Sequence, residues 1–251
     1  MFSNRLFNIV FLFFLVPITA HAKDISSANI SSIEMIAGFV KPPFIIEENG
    51  SGLQLDIVRQ ALSNIGYQVN FLHLPLGRNI TAFQRMNADG VITLPNNYEH
   101  PGMHMSAPYI VYQNVAVSLA ANGFNIGSVN DLSGKSVAAF QHAKKFLGKQ
   151  YRDTVSYAVS YREIAEQKKQ IEMLFLRQAE VIILDLNIFK HFIKTSNDKR
   201  FNKAFNVHYI FNQRHYAAGF RSEKIAKDFD LAIAKMKEDG SYQEILDNYL
   251  K

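Results

Sequence analysis

Strand-like and helical hydrophobic patterns alternate along this sequence. Residues 32–40 are mostly apolar and predict a strand, and residues 53–65 carry apolar side chains at helical spacing. Gly66 follows as a predicted helix C-cap, and residues 68–73 predict the next strand. This alternation predicts an α/β fold.

The rest of the sequence continues the pattern without a visible repeat. Further strands are predicted at residues 90–94, 114–120, 136–140, 181–184, 209–212 and 216–220. Further helices are predicted at residues 79–86, 143–151, 161–177, 225–239 and 243–250, with one more that ends near Thr195.

An irregular corner joins the first strand to the first helix. Pro42 and Pro43 cannot donate backbone hydrogen bonds, so the chain leaves its strand there and Phe44 lies beside the strand's carboxyl end. Ligands of open α/β sheets bind at such ends. Phe44 is therefore either a wall of a binding cleft or an ordinary core aromatic.

The N-terminus has the pattern of a secretory signal peptide over residues 1–22. Arg5 supplies a positive charge, an apolar run follows, and Ala20-His21-Ala22 is a small-x-small cleavage site. The run is shorter than the ~20 residues of a membrane-spanning helix, although an uncleaved N-terminal anchor is the alternative. We expect export to the periplasm with cleavage near Ala22.

Composition narrows the classes of function. The chain has no cysteine, which excludes disulfides, thiolate metal sites, a catalytic thiol and lipid attachment through cysteine. Its net charge of +5 is scattered along predicted helices, which indicates solvated faces and no nucleic-acid binding. His100 and His104 flank Pro101-Gly102, which opposes the helix that an i, i+4 metal pair would need. We expect neither a metal nor a cofactor.

Seven short motifs in order resemble those of the extracellular solute-binding proteins of family 3, which serve ABC importers of polar amino acids. They are the Pro-Pro-Phe corner at 41–44, a Gly-x-x-x-Asp helix start at 52–56, an Asp-containing strand entry at 88–92, a Ser-x-Pro-Tyr element at 106–109, a second-lobe start at 132–137, an acidic strand end at 179–185 and a helix-Gly-helix motif at 237–242.

The resemblance implies the α/β fold of a two-lobe periplasmic binding protein (type II) with two crossover hinges. Lobe 1 would comprise residues 23–117 plus 213–251, and lobe 2 residues 118–212, with crossovers near 117–120 and 215–220. A small polar ligand would bind between the lobes and close them. The implied protein is a monomer whose partner is an ABC permease or a membrane sensor.

The resemblance also implies ligand contacts. The family's carboxylate-clamping Arg lies seven residues before the Ser of Ser-x-Pro-Tyr, but this chain has Glu99 there. Asp185 matches the family's ammonium-binding Asp, although helix N-capping is an alternative role. Arg78 precedes a predicted helix and is a candidate anion partner, or else a surface residue. Glu99 with Asp185 favours a cationic or neutral polar ligand, whereas Arg78 leaves carboxylates open.

Four further positions complete the candidate ligand site. Gln141 and His142 follow a strand and precede a helix, whose free N–H groups suit an anionic or carbonyl group, unless they form a surface loop. Tyr109 and Tyr112 are candidates to line the cleft or to pack in the core.

We therefore predict a receptor without chemistry of its own. The alternatives are a periplasmic enzyme of dehydratase type on the same scaffold, with a cleft carboxylate as acid or base, and a ligand-sensing receptor for a membrane signalling partner.

Overall fold

The structure, a computed structural model, describes residues 31–38, 40–75 and 78–251. The signal peptide predicted at residues 1–22 lies outside these ranges. In the described ranges, no helix combines the length and apolar character needed to cross a bilayer.

Helices and strands alternate as the hydrophobic pattern predicts. The strands are β1 (Ser31–Ala37), β2 (Tyr67–His73), β3 (Gly90–Pro95), β4 (His104–Met105), β5 (Ile110–Tyr112), β6 (Asn114–Leu119), β7 (Ser136–Phe140), β8 (Ser160–Ile164), β9 (Val181–Asp185), β10 (Phe205–His208) and β11 (Arg214–Phe220). The α-helices are α1 (Leu53–Asn64), α2 (Asn79–Arg85), α3 (Ala143–Phe146), α4 (Gly148–Thr154), α5 (Gln167–Phe175), α6 (Leu186–Thr195), α7 (Glu223–Glu238) and α8 (Ser241–Leu250).

These strands form two separate sheets. The first has the order β2-β1-β3-β11-β4, with β5 paired to β11, and the second has the order β10-β6-β9-β7-β8. The chain passes from the first sheet to the second at Gln113, between β5 and β6, and returns over residues 209–213, between β10 and β11. The domain boundary expected after residue 117 therefore falls inside β6, which belongs wholly to the second sheet.

Parallel and antiparallel pairings explain the sequence pattern. β1 pairs in parallel with β2 and β3, and β7 pairs in parallel with β8 and β9. β6 is buried at every position because it lies inside the second sheet, between β9 and β10. One hydrophobic cluster includes buried residues of both sheets, such as Tyr112 and Leu184.

Three local predictions were wrong. Residues 160–164 form β8, not the start of a helix, because their backbone pairs with β7 in the register Ser136↔Ser160. The helix predicted at residues 143–151 is divided into α3 and α4 at Gly148, whose φ of +90° interrupts the helix. The strand predicted at residues 209–212 lies earlier, as β10, where it pairs with β6.

Candidate functional site

The Pro-Pro corner lies directly on the start of α1. The N–H groups of Leu53 and Gln54 donate to the carbonyls of Pro43 and Phe44 at 2.9 and 3.0 Å, so the corner satisfies two free N–H groups of the helix. Gly52 has a φ of +131°, and a Cβ there would lie 2.5 Å from the Phe44 carbonyl oxygen. Glycine is therefore required for this close approach.

Three side chains, those of Lys41, Phe44 and Tyr112, meet at this corner. The rings of Phe44 and Tyr112 are stacked with centroids 4.0 Å apart, and Phe44 is fully buried. The Lys41 Nζ atom lies 4.5 Å from the centroid of the Tyr112 ring, a cation–π geometry. Tyr112 also contacts the ring of Tyr216 in β11 at 4.9 Å.

Asp185 lies at the end of β9 and reaches the same place from the second sheet. It is 3% exposed, and its Oδ1 accepts from the N–H groups of Asn187 and Ile188 at 2.8 and 3.2 Å, as an N-cap of α6. Its Oδ2 accepts from the N–H of Gln113 at 2.8 Å. The N-capping role considered from the sequence is present, and the carboxylate also anchors the crossing between the sheets.

We call Lys41, Phe44, Tyr112, Asp185 and Tyr216 the inter-sheet cluster. Burial lowers the pKa of Lys41 to about 8, and the carboxylate of Asp185 opposes that shift. Burial raises the pKa of Asp185 to about 6, although three backbone N–H groups and Lys41 act to lower it. Burial also raises the pKa of Tyr112 and of Tyr216, so both phenols are neutral at pH 7.

Gln54 forms hydrogen bonds that connect Tyr112 of the cluster to Thr93 and Tyr109. It is fully buried, and its Nε2 donates to the hydroxyls of Thr93 and Tyr109, each at 2.6 Å. Its Oε1 accepts from the hydroxyl of Tyr112 at 2.9 Å. Thr93 has a φ of +65°, a strained backbone for a β-branched residue, and this conformation is tied to the network through its hydroxyl.

Side chains near the two crossings connect the sheets. The Gln113 Nε2 donates to the carbonyl of Phe211 at 2.9 Å, which links the outgoing crossing to the returning one. Arg214 of β11 donates from Nη1 to the carbonyl of Phe146 in α3, and its guanidinium carbon lies 6.0 Å from the ring of Tyr216. These contacts make the two crossings a coupled unit next to the cluster.

The sequence predicted free N–H groups at the start of the helix after Gln141 and His142, but the structure shows these N–H groups in hydrogen bonds. The Glu163 carboxylate of β8 accepts from the N–H groups of His142 and Lys144 at 2.7 and 3.0 Å, and from the Tyr161 hydroxyl at 2.9 Å. Burial acts to raise the pKa of Glu163, but these hydrogen bonds outweigh it and lower the pKa. The idea that these N–H groups are free for an anion was wrong, because the protein's own carboxylate accepts from them. The side chains of Gln141 and His142 are exposed.

Some of the other predicted ligand residues lie in the core, and others are exposed. Tyr109 is 2% exposed and packs edge-on against Phe229, so it lies in the core beneath Tyr112. Arg78 and Glu99 are both exposed: Arg78 lies at the start of α2 and Glu99 in the loop after β3. Phe44 is covered by Tyr112 in this conformation. Of the eight candidates, Phe44, Tyr112 and Asp185 belong to the inter-sheet cluster, and Tyr109 adjoins it through Gln54.

Sequence reasoning missed several residues that build the site. They are Lys41, Gln54, Thr93, Arg214, Tyr216 and Glu163. The position of Lys41, next to the Pro-Pro corner, was the one available signal, since a residue beside a strand's carboxyl end is placed for ligand contact. The others come from distant parts of the sequence and share no local pattern.

Two shallow depressions lie away from this cluster. One of about 320 Å³ lies between α1 and β2, with Arg59 and Tyr67 in its lining. Another of about 190 Å³ lies between α6 and α8, with His191 and Tyr249 in its lining. Neither lining includes a residue of the inter-sheet cluster. We place the candidate site at the cluster because charged groups with shifted pKa values converge there.

The raised pKa of Asp185 predicts that this residue makes the protein less stable as the pH rises, the reverse of the usual effect of a carboxyl group. Its pKa is raised in the folded protein from 3.8 to about 6, so between these values the folded state binds more protons than the unfolded state. This residue therefore makes stability fall as the pH rises from about 4 to about 6. The groups facing it are Lys41, which stays charged in this range, and the neutral phenols of Tyr112 and Tyr216.

Urea denaturation of wild type and Asp185→Ala at pH 4.5 and pH 7 measures this effect. The variant should lose about 1 kcal/mol at both pH values because the N-cap is removed. In addition to that constant loss, the wild type alone is destabilised between pH 4.5 and pH 7 by ionisation of Asp185. The free energy of unfolding of the variant, relative to that of wild type, should therefore be higher at pH 7 than at pH 4.5. A difference between the two proteins that is the same at both pH values would contradict the assignment.

A comparison with protein-family models shows a match over residues 36–251 to the bacterial extracellular solute-binding proteins, family 3. Comparison with curated proteins shows no match.

Solved structures share the fold at low sequence identity. An ancestral arginine-binding protein bound to arginine is 19% identical with a TM-score of 0.69, over 88% of this chain and 99% of that one. A substrate-binding protein of an ABC uptake transporter from Streptococcus pneumoniae with bound histidine is 16% identical with a TM-score of 0.68, over 87% and 92%. An ancestral amino-acid-binding protein described as a precursor of cyclohexadienyl dehydratase is 18% identical with a TM-score of 0.68, over 88% and 96%. The predicted two-lobe α/β fold is confirmed.

Proposed function

This chain belongs to the bacterial extracellular solute-binding proteins of family 3, and from that premise we propose that it captures a small polar solute, an amino acid or related compound, between two lobes. The observation that carries the proposal is the inter-sheet cluster, in which charged and aromatic side chains of the two sheets converge. Lys41, Tyr112 and Tyr216 come from the first sheet's side and Asp185 from the second. A solute there would contact both lobes.

We assign the lobes to the two sheets, with hinges at the two crossings. Gln113 forms one hinge and residues 209–213 the other, and the bond from Gln113 to Phe211 couples them. The bond from Arg214 to Phe146 joins the lobes across the cleft in this conformation. Domain closure around a ligand uses a few such hinge residues. These assignments move each proposed hinge a few residues toward the N-terminus from the sequence-based expectation.

The family supports a proposal for the partner and the location. Its members are described as extracellular, which agrees with the signal peptide predicted at residues 1–22. We propose a periplasmic protein that delivers its solute to an ABC permease. A role as a ligand-sensing receptor for a membrane signalling partner is the alternative for the same cleft.

The first test is ligand-dependent stability. A true ligand at a hundred times its Kd should stabilise the protein by about 2.7 kcal/mol. A thermal-shift screen of amino acids, polyamines, small organic acids and short peptides would identify it. The ligand should also reduce the radius of gyration in small-angle scattering, because the lobes close. The absence of any shift over this broad panel would contradict solute capture.

One observation favours an enzyme as the second candidate. Asp185 is a buried carboxyl with a pKa raised to about 6, a suitable value for a general acid or base. Three of its acceptor positions are already used by backbone N–H groups, which favours the structural role. Turnover of a cyclohexadienyl substrate that Asp185→Ala abolishes would favour the enzyme.

A further inference from the structure

We propose that the captured solute is a small carboxylate without an ammonium group, and that Lys41 is the residue that selects it. The proposal rests on the solute-capture function and specifies its ligand class. It differs from the sequence-based expectation, in which Glu99 and Asp185 favoured a cationic or neutral ligand.

The backbone holds Lys41 rigidly at the corner. Its N–H donates to the Ile45 carbonyl at 2.8 Å, and its carbonyl accepts from the Phe44 N–H at 2.8 Å. The side chain extends over the Tyr112 ring, so its ammonium group lies at the junction of the two lobes. Because these bonds fix the main chain, the Lys41 side chain begins at a defined position beside the Tyr112 ring.

The Lys41 ammonium group has unused hydrogen-bonding capacity. Among the described residues, its Nζ donates no hydrogen bond, and no carboxylate lies within the 4.0 Å of an ion pair. An ammonium group can donate three hydrogen bonds. A ligand carboxylate would supply hydrogen-bond acceptors for this partly buried cation and would add a negative charge to that of Asp185, which acts on Lys41 from beyond ion-pair distance.

Asp185 is poorly suited to take a ligand ammonium group. A carboxylate has about four acceptor positions, and the N–H groups of Gln113, Asn187 and Ile188 use three of them. The positive charge of Lys41 already acts on Asp185. A ligand cation would therefore share one acceptor position and meet the like charge of Lys41.

In the described part of the chain, Asp185 is the one carboxylate that belongs to the inter-sheet cluster. Arg214 lies beside Tyr216 and adds a second cation to this side of the cleft. Glu163 is bonded to the N–H groups of His142 and Lys144 and to Tyr161. Glu99 is exposed in its loop. The charge at the cluster therefore favours an anion, while Tyr112 and Tyr216 provide aromatic surface for the rest of the solute.

The experiment compares ligands that differ by one ammonium group. Isothermal titration calorimetry at pH 7 would test 3-phenylpropionate against phenylalanine, glutarate against glutamate, and succinate against aspartate. In at least one pair, the carboxylate without the amine should bind at least 10-fold more tightly. The same titrations on Lys41→Met should show at least a 10-fold loss for that carboxylate, whereas Lys41→Arg should stay within a few-fold of wild type.

The matched control is Lys135→Met. Lys135 also lies over an aromatic ring, with its Nζ 4.8 Å from the Phe124 centroid, but it lies outside the cluster. This variant should bind as wild type does, and thermal melting should confirm that all three variants are folded.

The outcomes separate the two proposals. Tighter binding of the amino acids, or carboxylate binding that Lys41→Met leaves unchanged, would overturn the role of Lys41 while leaving solute capture intact. If no member of any pair binds and the wider screen yields only a ligand without a carboxylate, the carboxylate class is overturned alone. If nothing in either panel binds, both proposals are overturned.

Discussion

Replacement of Phe44 by alanine is expected to lower the free energy of unfolding by about 3–5 kcal/mol, as large-to-small substitution of buried aromatics does. The ring is 0% exposed and stacks at 4.0 Å on Tyr112, so its removal leaves a cavity within the inter-sheet cluster. A domain's total stability is about 5–15 kcal/mol, so this loss is a large share. Urea denaturation followed by circular dichroism would measure it.

Tyr157→Ala provides the matched control for Phe44→Ala. Tyr157 is 75% exposed, so its loss should change stability by about 0.5 kcal/mol or less. We also expect weaker solute binding by Phe44→Ala at temperatures where it remains folded, since Tyr112 loses the ring that supports it. If Phe44→Ala lowers the free energy of unfolding by less than about 1 kcal/mol, the corner is not part of the core.

Gln54→Leu is expected to destabilise the protein by about 3 kcal/mol, although leucine is apolar and similar in size. The substitution leaves the hydroxyls of Thr93, Tyr109 and Tyr112 without their amide partner. Each buried polar group left unsatisfied costs about 1–3 kcal/mol, and partial rearrangement limits the sum. Equilibrium unfolding in urea would measure the change.

Gln60→Leu tests whether the burial of Gln54 causes the loss of stability expected for Gln54→Leu. Gln60 lies in the same helix, α1, but is exposed, and its side-chain amide donates to the Asn64 Oδ1 atom at 2.8 Å. Its substitution should change stability by about 0.5 kcal/mol or less. Equal effects of the two substitutions would show that helix propensity, and not the buried network, dominates at Gln54.

Local patterns were sufficient for most of the fold. The apolar spacing in residues 53–65 predicted α1, and the buried run at 181–184 predicted β9, because a packed face needs apolar side chains at the period of its element. β8 was missed because residues 161–164 of this five-residue strand were assigned to the helix predicted at residues 161–177. Its strand conformation depends on hydrogen bonds to β7, from which it is 20 residues or more away in sequence.

Local sequence patterns predicted only some of the residues of the candidate site. Asp185 was found because it directly follows a buried strand, and Phe44 because it follows two prolines. Arg214 and Glu163 gave no such signal, since their roles depend on the carbonyl of Phe146 and the N–H groups beside α3. From the sequence, Glu99 with Asp185 favoured a cationic or neutral ligand and Arg78 left carboxylates open, whereas the proposed role of Lys41 depends on the structure.

Most of the elements and the family-like series of motifs were readable from residue order, because they depend on local periodicity and on glycine and proline positions. The two-lobe fold was implied by the family resemblance of those motifs. The charge balance of the cleft was not readable in this way. It depends on whether Asp185 is already hydrogen-bonded, whether Glu163 reaches the start of α3 and whether Lys41 lies over Tyr112. Those facts arise when segments far apart in sequence meet and bury their charges together, since the energy of a charge depends on its burial and its neighbours.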